Sequence, residues 1–261
     1  MSGLTLGAPH NIPQDTHGEY FDGTYEGRPA LLYLLNERGV RYLPRVQTEV
    51  WNRRQPPNIL CPITVESVNG RTIVVYPLML YTLQEYLRRV NGQEPVHAPL
   101  NRNLVALNIA IAMVEFVGHD GNGLLHRNLS SKTIFVSPEG LFVVGGLFSS
   151  RDYDNVMTAN VSADPWTAPE ILSGHRDYDW ACDVYSYGII LSELDTLRLP
   201  YTDKDAYIRR NLGVQIVNDD MRPSLSDDCD GWYEDLVVNC VAANLGDRPC
   251  FVDIVTELQS H

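Results

Sequence analysis

Up to about residue 80, hydrophobic and polar positions alternate in short runs. EYFDGTYEG (19–27), RPALLYLL (28–35), ITVESV (63–68) and RTIVVYPLM (71–79) read as strands, and YLPRVQTEVWNRR (42–54) has helical character between them. The pattern predicts a small sheet with one helix. TLQEYLRRV (82–90) leads into a loop rich in Pro, Gly and Asn, NGQEPVHAPLN (91–101), and then into LVALNIAIAMVEFVGH (104–119), whose nearly continuous apolarity predicts a buried helix. Helices dominate from there. DWACDVYSYGIILSELDT (179–196) and GWYEDLVVNCVAANL (231–245) carry helical periodicity, and RPCFVDIVTELQSH (248–261) makes a last amphipathic helix. No internal repeat or low-complexity segment interrupts the series.

Composition narrows the classes open to such a chain. With 261 residues, 44% hydrophobic and 20% charged, there is enough apolar side chain for one large core or two adjoining small ones. No stretch approaches the roughly 18 apolar residues of a membrane span, and no basic-then-apolar leader opens the chain, so a soluble cytoplasmic protein is expected. The five cysteines, Cys61, Cys182, Cys229, Cys240 and Cys250, lie at scattered spacings without a Cys/His cluster, which predicts reduced thiols and no metal site. A net charge of −13 disfavours nucleic acid and anionic lipid and leaves protein surfaces as the expected partners. The cations are themselves unusual: Lys132 and Lys204 are the only lysines, and the other eighteen are arginines.

Several spaced anchors carry a resemblance. HRNL (126–129) with Thr133 matches H-R-D-L-x-x-x-N, and GLF (146–148) stands where D-F-G is expected. APE (168–170), DVYSYG (183–188) and RP (248–249) follow in order. This order resembles a eukaryotic-type protein kinase domain from about residue 10 onward, and SYGIILSEL and DRPCFVDIV look most like its tyrosine-kinase-like branch. The resemblance implies an α+β, two-lobed fold across 1–261: a β-rich lobe with one helix over about 10–80 and a larger helical lobe over about 81–261. GTYEGRPALLY resembles the second and third strands of such domains, which puts Tyr33 at the strand lysine. Counting back, Pro13, Asp15 and Gly18 fall on the three glycines of the phosphate loop.

Phosphoryl transfer needs charge in fixed places: a lysine on the phosphates, carboxylate and amide ligands for magnesium, and a carboxylate to orient the nucleophile. On the matched positions the lysine is Tyr33, the catalytic-loop aspartate is Asn128, the metal-binding asparagine is Thr133 and the D-F-G aspartate is Gly146. No lysine precedes Lys132, so no strand neighbour can substitute. The helix glutamate position falls on Gln47, or on Glu49 in the alternative register. Pro13 removes a donor from the phosphate loop and Asp15 adds a repelling charge. Tyr20, Leu31 and Phe135 replace smaller residues around the adenine slot, and Tyr76 and Met79 fall at the gatekeeper and hinge, so the pocket is expected to be filled by side chains. Asp152 is the nearest acid that could replace the missing metal ligand, and Arg28 and Arg45 are the only nearby cations available to a divergent site.

Other matched positions keep their residues. His126 and Asp183 are expected to tie the catalytic loop to the central helix, Glu170 and Arg248 to form a buried pair, and His126, Leu147 and Trp51 to continue an apolar spine between the lobes. Arg127 reads as a structural arginine or as a receiver for a phosphorylated activation loop, in which Ser149, Ser150, Tyr153, Thr158 and Ser162 could accept phosphate. The arginine pairs beginning at Arg53, Arg88 and Arg209 read as solvated faces, and Trp180 and Trp232 as core or rim packing. The resemblance then implies a pseudokinase without nucleotide or metal cofactor. Such a domain acts as a scaffold or allosteric partner of an active kinase or its substrate; the alternative is a divergent nucleotide-binding phosphotransferase.

Overall fold

The computed structural model describes residues 3–12, 15–51, 58–117, 124–149, 164–175 and 178–261. Five antiparallel strands form the first sheet in the order β1-β2-β3-β5-β4: β1 Leu4–Pro9, β2 Gly18–Tyr25, β3 Arg28–Leu35, β4 Thr64–Val68 and β5 Arg71–Pro77. The hydrophobic pattern did not predict β1, because LTLGAP is an exposed edge strand with no buried face to mark it. Two tight hairpins set the register: Glu26 and Gly27, and Asn69 and Gly70, hold the paired positive φ angles that match the twist of the flanking strands.

Strand β3 is buried on both faces, which explains why RPALLYLL hardly alternates. Ala30 and Leu32 meet Ile73 and Val75 on one face, whereas Leu31, Tyr33 and Leu35 turn into the main core with Tyr20, Val74 and Tyr76. Helix α1, Glu37–Val46, starts five residues earlier than the sequence pattern placed it, because the Asn36 carboxamide caps it by accepting the Gly39 N–H at 3.0 Å. It passes into a wider π turn at Gln47–Trp51, just beyond Pro44.

The remainder is mainly helical. The longest elements are α2 Leu83–Asn91, α3 Arg102–Val117, α5 Ala181–Thr196, α8 Gly231–Cys240 and α9 Phe251–Gln259; α4 Pro169–Leu172, α6 Ala206–Arg210 and α7 Leu212–Asn218 are short. A second small sheet joins β6 Tyr81–Thr82, β7 Ile134–Val136 and β8 Phe142–Val144. Helix α5 is buried from Ala181 through Leu194, so it forms the axis on which α3, α8 and the catalytic loop pack. This is the two-lobed arrangement of a kinase domain, with one continuous core running through both parts. Among the described residues no helix is long and apolar enough to cross a membrane.

Candidate functional site

The cleft between the first sheet and the helices is assembled around Tyr33. Its ring is fully buried, lies opposite Tyr20 in the β2–β3 register and stacks on it with centroids 4.4 Å apart. Its hydroxyl donates to Asp15 Oδ1. The same carboxylate oxygen accepts the backbone N–H of His17 at 2.7 Å and of Gly18 at 3.1 Å. Asp15 therefore occupies loop amides of its own segment, where the sequence reading foresaw only a repelling charge. Burial, and after it the neighbouring Tyr20 and Asp15, push the Tyr33 phenol well above its usual range, so it stays protonated and serves as a donor. Gly18 permits the close approach: a Cβ there would collide with the Leu34 carbonyl and lie 3.0 Å from the Tyr33 ring.

The loop is pinned from two further sides. The His17 carbonyl accepts the Asn36 N–H at 2.9 Å, and the Asn36 carboxamide donates to Thr16 O at 3.1 Å. The buried His17 ring packs edge-on against Tyr42 of α1, with centroids 5.3 Å apart.

Phe148 fills the centre of the cleft. It stands where the D-F-G pattern has its glycine, and its ring lies 5.4 Å from Tyr33, 5.9 Å from His17 and 6.0 Å from Trp51. The ring that meets Trp51 is thus Phe148, with the expected spine residue Leu147 buried beside it. Tyr76 packs edge-on against the far side of Trp51 at 6.4 Å, and Met79 is buried with it in the same core. Phe135 closes the lower side, 5.7 Å from Tyr20, and Leu31 is fully buried among these rings' core. The sequence signal for Phe148 was present in GLF, but only the tertiary structure shows what the ring touches.

The catalytic-loop positions are turned inward. Thr133 Oγ1 donates to Asn128 O at 2.8 Å and accepts the Ser130 N–H at 3.1 Å, so its hydroxyl holds the loop's own turn. Gly146 has φ of +73°, and a Cβ at that position would lie 2.6 Å from Thr133 Cγ2 and 2.8 Å from Thr133 Cβ. The space into which an aspartate would project is therefore taken by Thr133. Asn128 donates its backbone N–H to His126 Nδ1 at 3.2 Å. Neither Thr133 nor Gly146 presents the hard anionic oxygens that magnesium requires, so the residues present do not fit that ion. Among the described residues no group of three His, Cys, Asp or Glu side chains is placed to hold a metal.

Of the candidate substitutes, Arg28 lies away from the cleft. Arg28 opens β3 five residues from Tyr33, about 16 Å away at strand rise, and is exposed. Gln47 is half-buried in the π turn, and the Tyr33 hydroxyl donates to Asp15. Pro13, Arg53, Asp152, Ser150, Tyr153, Thr158 and Ser162 lie outside the described residues, as do the side chains of Glu49 and Ser149.

The residues at the retained motif positions are held by buried polar contacts. Asp183 accepts the backbone N–H groups of His126 at 2.7 Å and Arg127 at 2.8 Å. His126 accepts at Nδ1 and donates from Nε2 to Gly145 O at 2.8 Å, and burial lowers its pKa to about 4, which keeps it neutral. Arg127 has φ of +60°, and its guanidinium lies 5.6 Å from the centroid of Tyr178. Arg248 grips Glu170 through two parallel bonds of 2.8 and 2.9 Å, both side chains buried, and also donates to Ala181 O and Ala242 O.

Glu193 is a buried carboxyl that sequence reasoning missed. It accepts from Ser131 Oγ and Trp166 Nε1, each at 2.8 Å, and ties α5 to the catalytic loop and to the segment before α4. Lys132, the one lysine in the catalytic loop, bridges Asp164 at 3.4 Å and lies over the Trp166 ring at 4.6 Å. Elsewhere Arg88 is held by Glu85 and Glu94, Trp232 stacks on His261 at 4.1 Å, and Trp180 packs partly buried on the core.

Comparison with known proteins identifies the family. The model of the protein tyrosine and serine/threonine kinase family matches residues 46–258. The chain is 29% identical over 270 residues to the serine/threonine-protein kinase VIK of Arabidopsis thaliana, covering 95% of this chain and 58% of VIK. It is 29% identical over 270 residues to the serine/threonine-protein kinase STY46 of the same plant, covering 96% of this chain and 43% of that protein. A probable serine/threonine-protein kinase of Dictyostelium discoideum is 29% identical over 216 residues, 82% of this chain and 16% of its own length. The chain thus spans from about a sixth to somewhat over half the length of these relatives.

Proposed function

This chain belongs to the protein tyrosine and serine/threonine kinase family, and from that premise we propose that it is a pseudokinase of the tyrosine-kinase-like branch. It works in the cytoplasm through its surface, as a scaffold or allosteric partner of an active kinase or of a kinase substrate, without phosphotransfer and with little or no binding of nucleotide. The observation that carries this reading is the bond between Tyr33 and Asp15. One carboxylate oxygen takes a neutral hydroxyl from the lysine position and two amides from the loop that would otherwise face phosphate. An entering triphosphate would meet that carboxylate in place of a cation, and the rings of Tyr20, Phe135 and Phe148 in place of open volume. The net charge of −13 favours a protein partner over any polyanion.

Thermal unfolding with ATP, with and without magnesium or manganese, tests the proposal. A ligand present at about 100 times its Kd stabilises the folded state by about 2.7 kcal/mol, which for a chain of this size raises Tm by roughly 5 to 10 °C. No rise is expected for the natural protein, and a concentration-dependent rise would overturn the proposal in favour of a divergent phosphotransferase. An Asp15→Ala/Tyr33→Lys variant divides the cause. A rise confined to the variant locates the block at the Tyr33–Asp15 bond, and none in either protein locates it in the aromatic filling.

A further inference from the structure

Helices α6 and α7 are separated by Asn211 alone. Its N–H donates to Tyr207 O at 3.2 Å and its carbonyl accepts the Gln215 N–H at 3.1 Å, and its own φ of −111° and ψ of +21° leave helical values, so α7 follows α6 across a one-residue bend. The inward side is Leu212 and Ile216, both buried. A surface helix ordinarily turns polar residues to the other side. This one instead presents Tyr207, Arg210, Val214 and Val217, at spacings of three, four and three residues that repeat the seam of paired helices. Tyr207 is 70% exposed, Val214 54% and Val217 39%. An exposed apolar stripe with a seam-like period marks a contact surface.

Charge selects the occupant. Arg209 and Arg210 stand near the start of this path, and neither forms an ion pair among the described residues. Asp219 and Asp220 stand at its end, Asp220 bridging Arg222 at 2.5 Å while remaining largely exposed. Two such helices side by side in parallel would set cation on cation and anion on anion. Related by a two-fold axis perpendicular to them they run antiparallel, and each arginine end meets the other's aspartate end. The point midway between Arg209 and Asp219 is Val214, which lies on the seam. We propose that α6 and α7 form an isologous contact with a second copy of this chain, antiparallel and centred near Val214. Two long acidic chains repel each other in general, so association depends on this local pattern. A path of thirteen residues is about 20 Å long, which covers less than the roughly 800 Å² per partner of a stable interface, so the dimer is weak and reversible.

Sedimentation equilibrium from about 1 to 300 µM reads this directly, the range being set by a dissociation constant in the micromolar region. The natural chain should pass from monomer toward dimer across that range. Val214→Asp, at an exposed position that leaves the fold intact, should weaken association at least tenfold with Tm unchanged. Arg209→Glu and Asp219→Arg should each weaken it, and the two combined in one chain should restore it, because the reversed charges again face opposite signs. A natural chain that stays monomeric at the highest concentration overturns the proposal, as does a dimer untouched by Val214→Asp or a double variant no tighter than the singles. The proposal is independent of whether the cleft binds nucleotide.

Discussion

The cleft and the floor of the helical half contain the same kinds of polar group and use them differently. On the floor, opposite charges are matched: Arg248 meets Glu170 in a buried two-bond fork and spends its remaining donors on backbone carbonyls. In the cleft, the Asp15 carboxylate accepts the Tyr33 hydroxyl and two amides, with the His17 ring nitrogen 3.8 Å away. The first arrangement secures a segment against the central helix. The second makes a site that once read as a place for phosphate into a self-satisfied piece of core. The residues matched to the phosphoryl-transfer positions, Tyr33, Asn128, Thr133 and Gly146, carry no charge, while the Glu170–Arg248 pair keeps its charges in the packed floor.

Breaking the floor should have the largest effect. Arg248→Ala leaves the Glu170 carboxylate buried without a counter-charge, and about 3 to 5 kcal/mol of stability should be lost in urea unfolding. A double variant with Glu170→Leu should lose less than that single change, because the orphaned charge is gone. Phe148→Ala comes next at about 3 to 4 kcal/mol, since it removes the ring shared by His17, Tyr33 and Trp51. A loss below about 1 kcal/mol would mean that the cleft is not packed as a core. Tyr33→Phe keeps the stacking on Tyr20 and deletes only the bond to Asp15, so about 1.5 to 3 kcal/mol is expected. A pH-dependent effect concerns Glu193, whose pKa burial raises from 4.5 to about 8. A raised carboxyl stabilises the fold below pH 4.5 and loses that contribution as pH rises through 8, so the unfolding free energy should fall over this window. Glu193→Gln should flatten that fall, and a slope unchanged by the substitution would assign it to other groups.

Much of the cleft was legible along the chain. The spacing from His126 to Gly146 located Asn128 and Thr133, and the likeness of RPALLYLL to a third strand put Tyr33 at the strand lysine, but only the structure shows its ring turned into the core beside Leu31. Glu170 and Arg248 were paired across 78 positions because both sit in motifs that survive intact. Asp15 was read only as a repelling charge, since the bond it accepts comes from a residue 18 positions away on a different strand. Strand β1 was missed because an exposed edge has no burial pattern, and Glu193 because a carboxylate amid helical periodicity reads as surface until α5 is found buried all round.

The sequence by itself determined which charges are absent, because a missing lysine or aspartate is a property of composition and spacing that no folding can restore. It also determined the order of sheet and helices, through the periods of two and 3.6 that burial imposes on strands and helices. Only the tertiary structure decided what the residues at these positions touch: that the Tyr33 hydroxyl reaches Asp15, that Phe148 joins His17, Tyr33 and Trp51, and that Thr133 closes over Gly146. The physical reason is that such contacts join residues far apart in sequence at distances of a few ångströms, where close packing and hydrogen-bond direction select one partner among many of suitable chemistry.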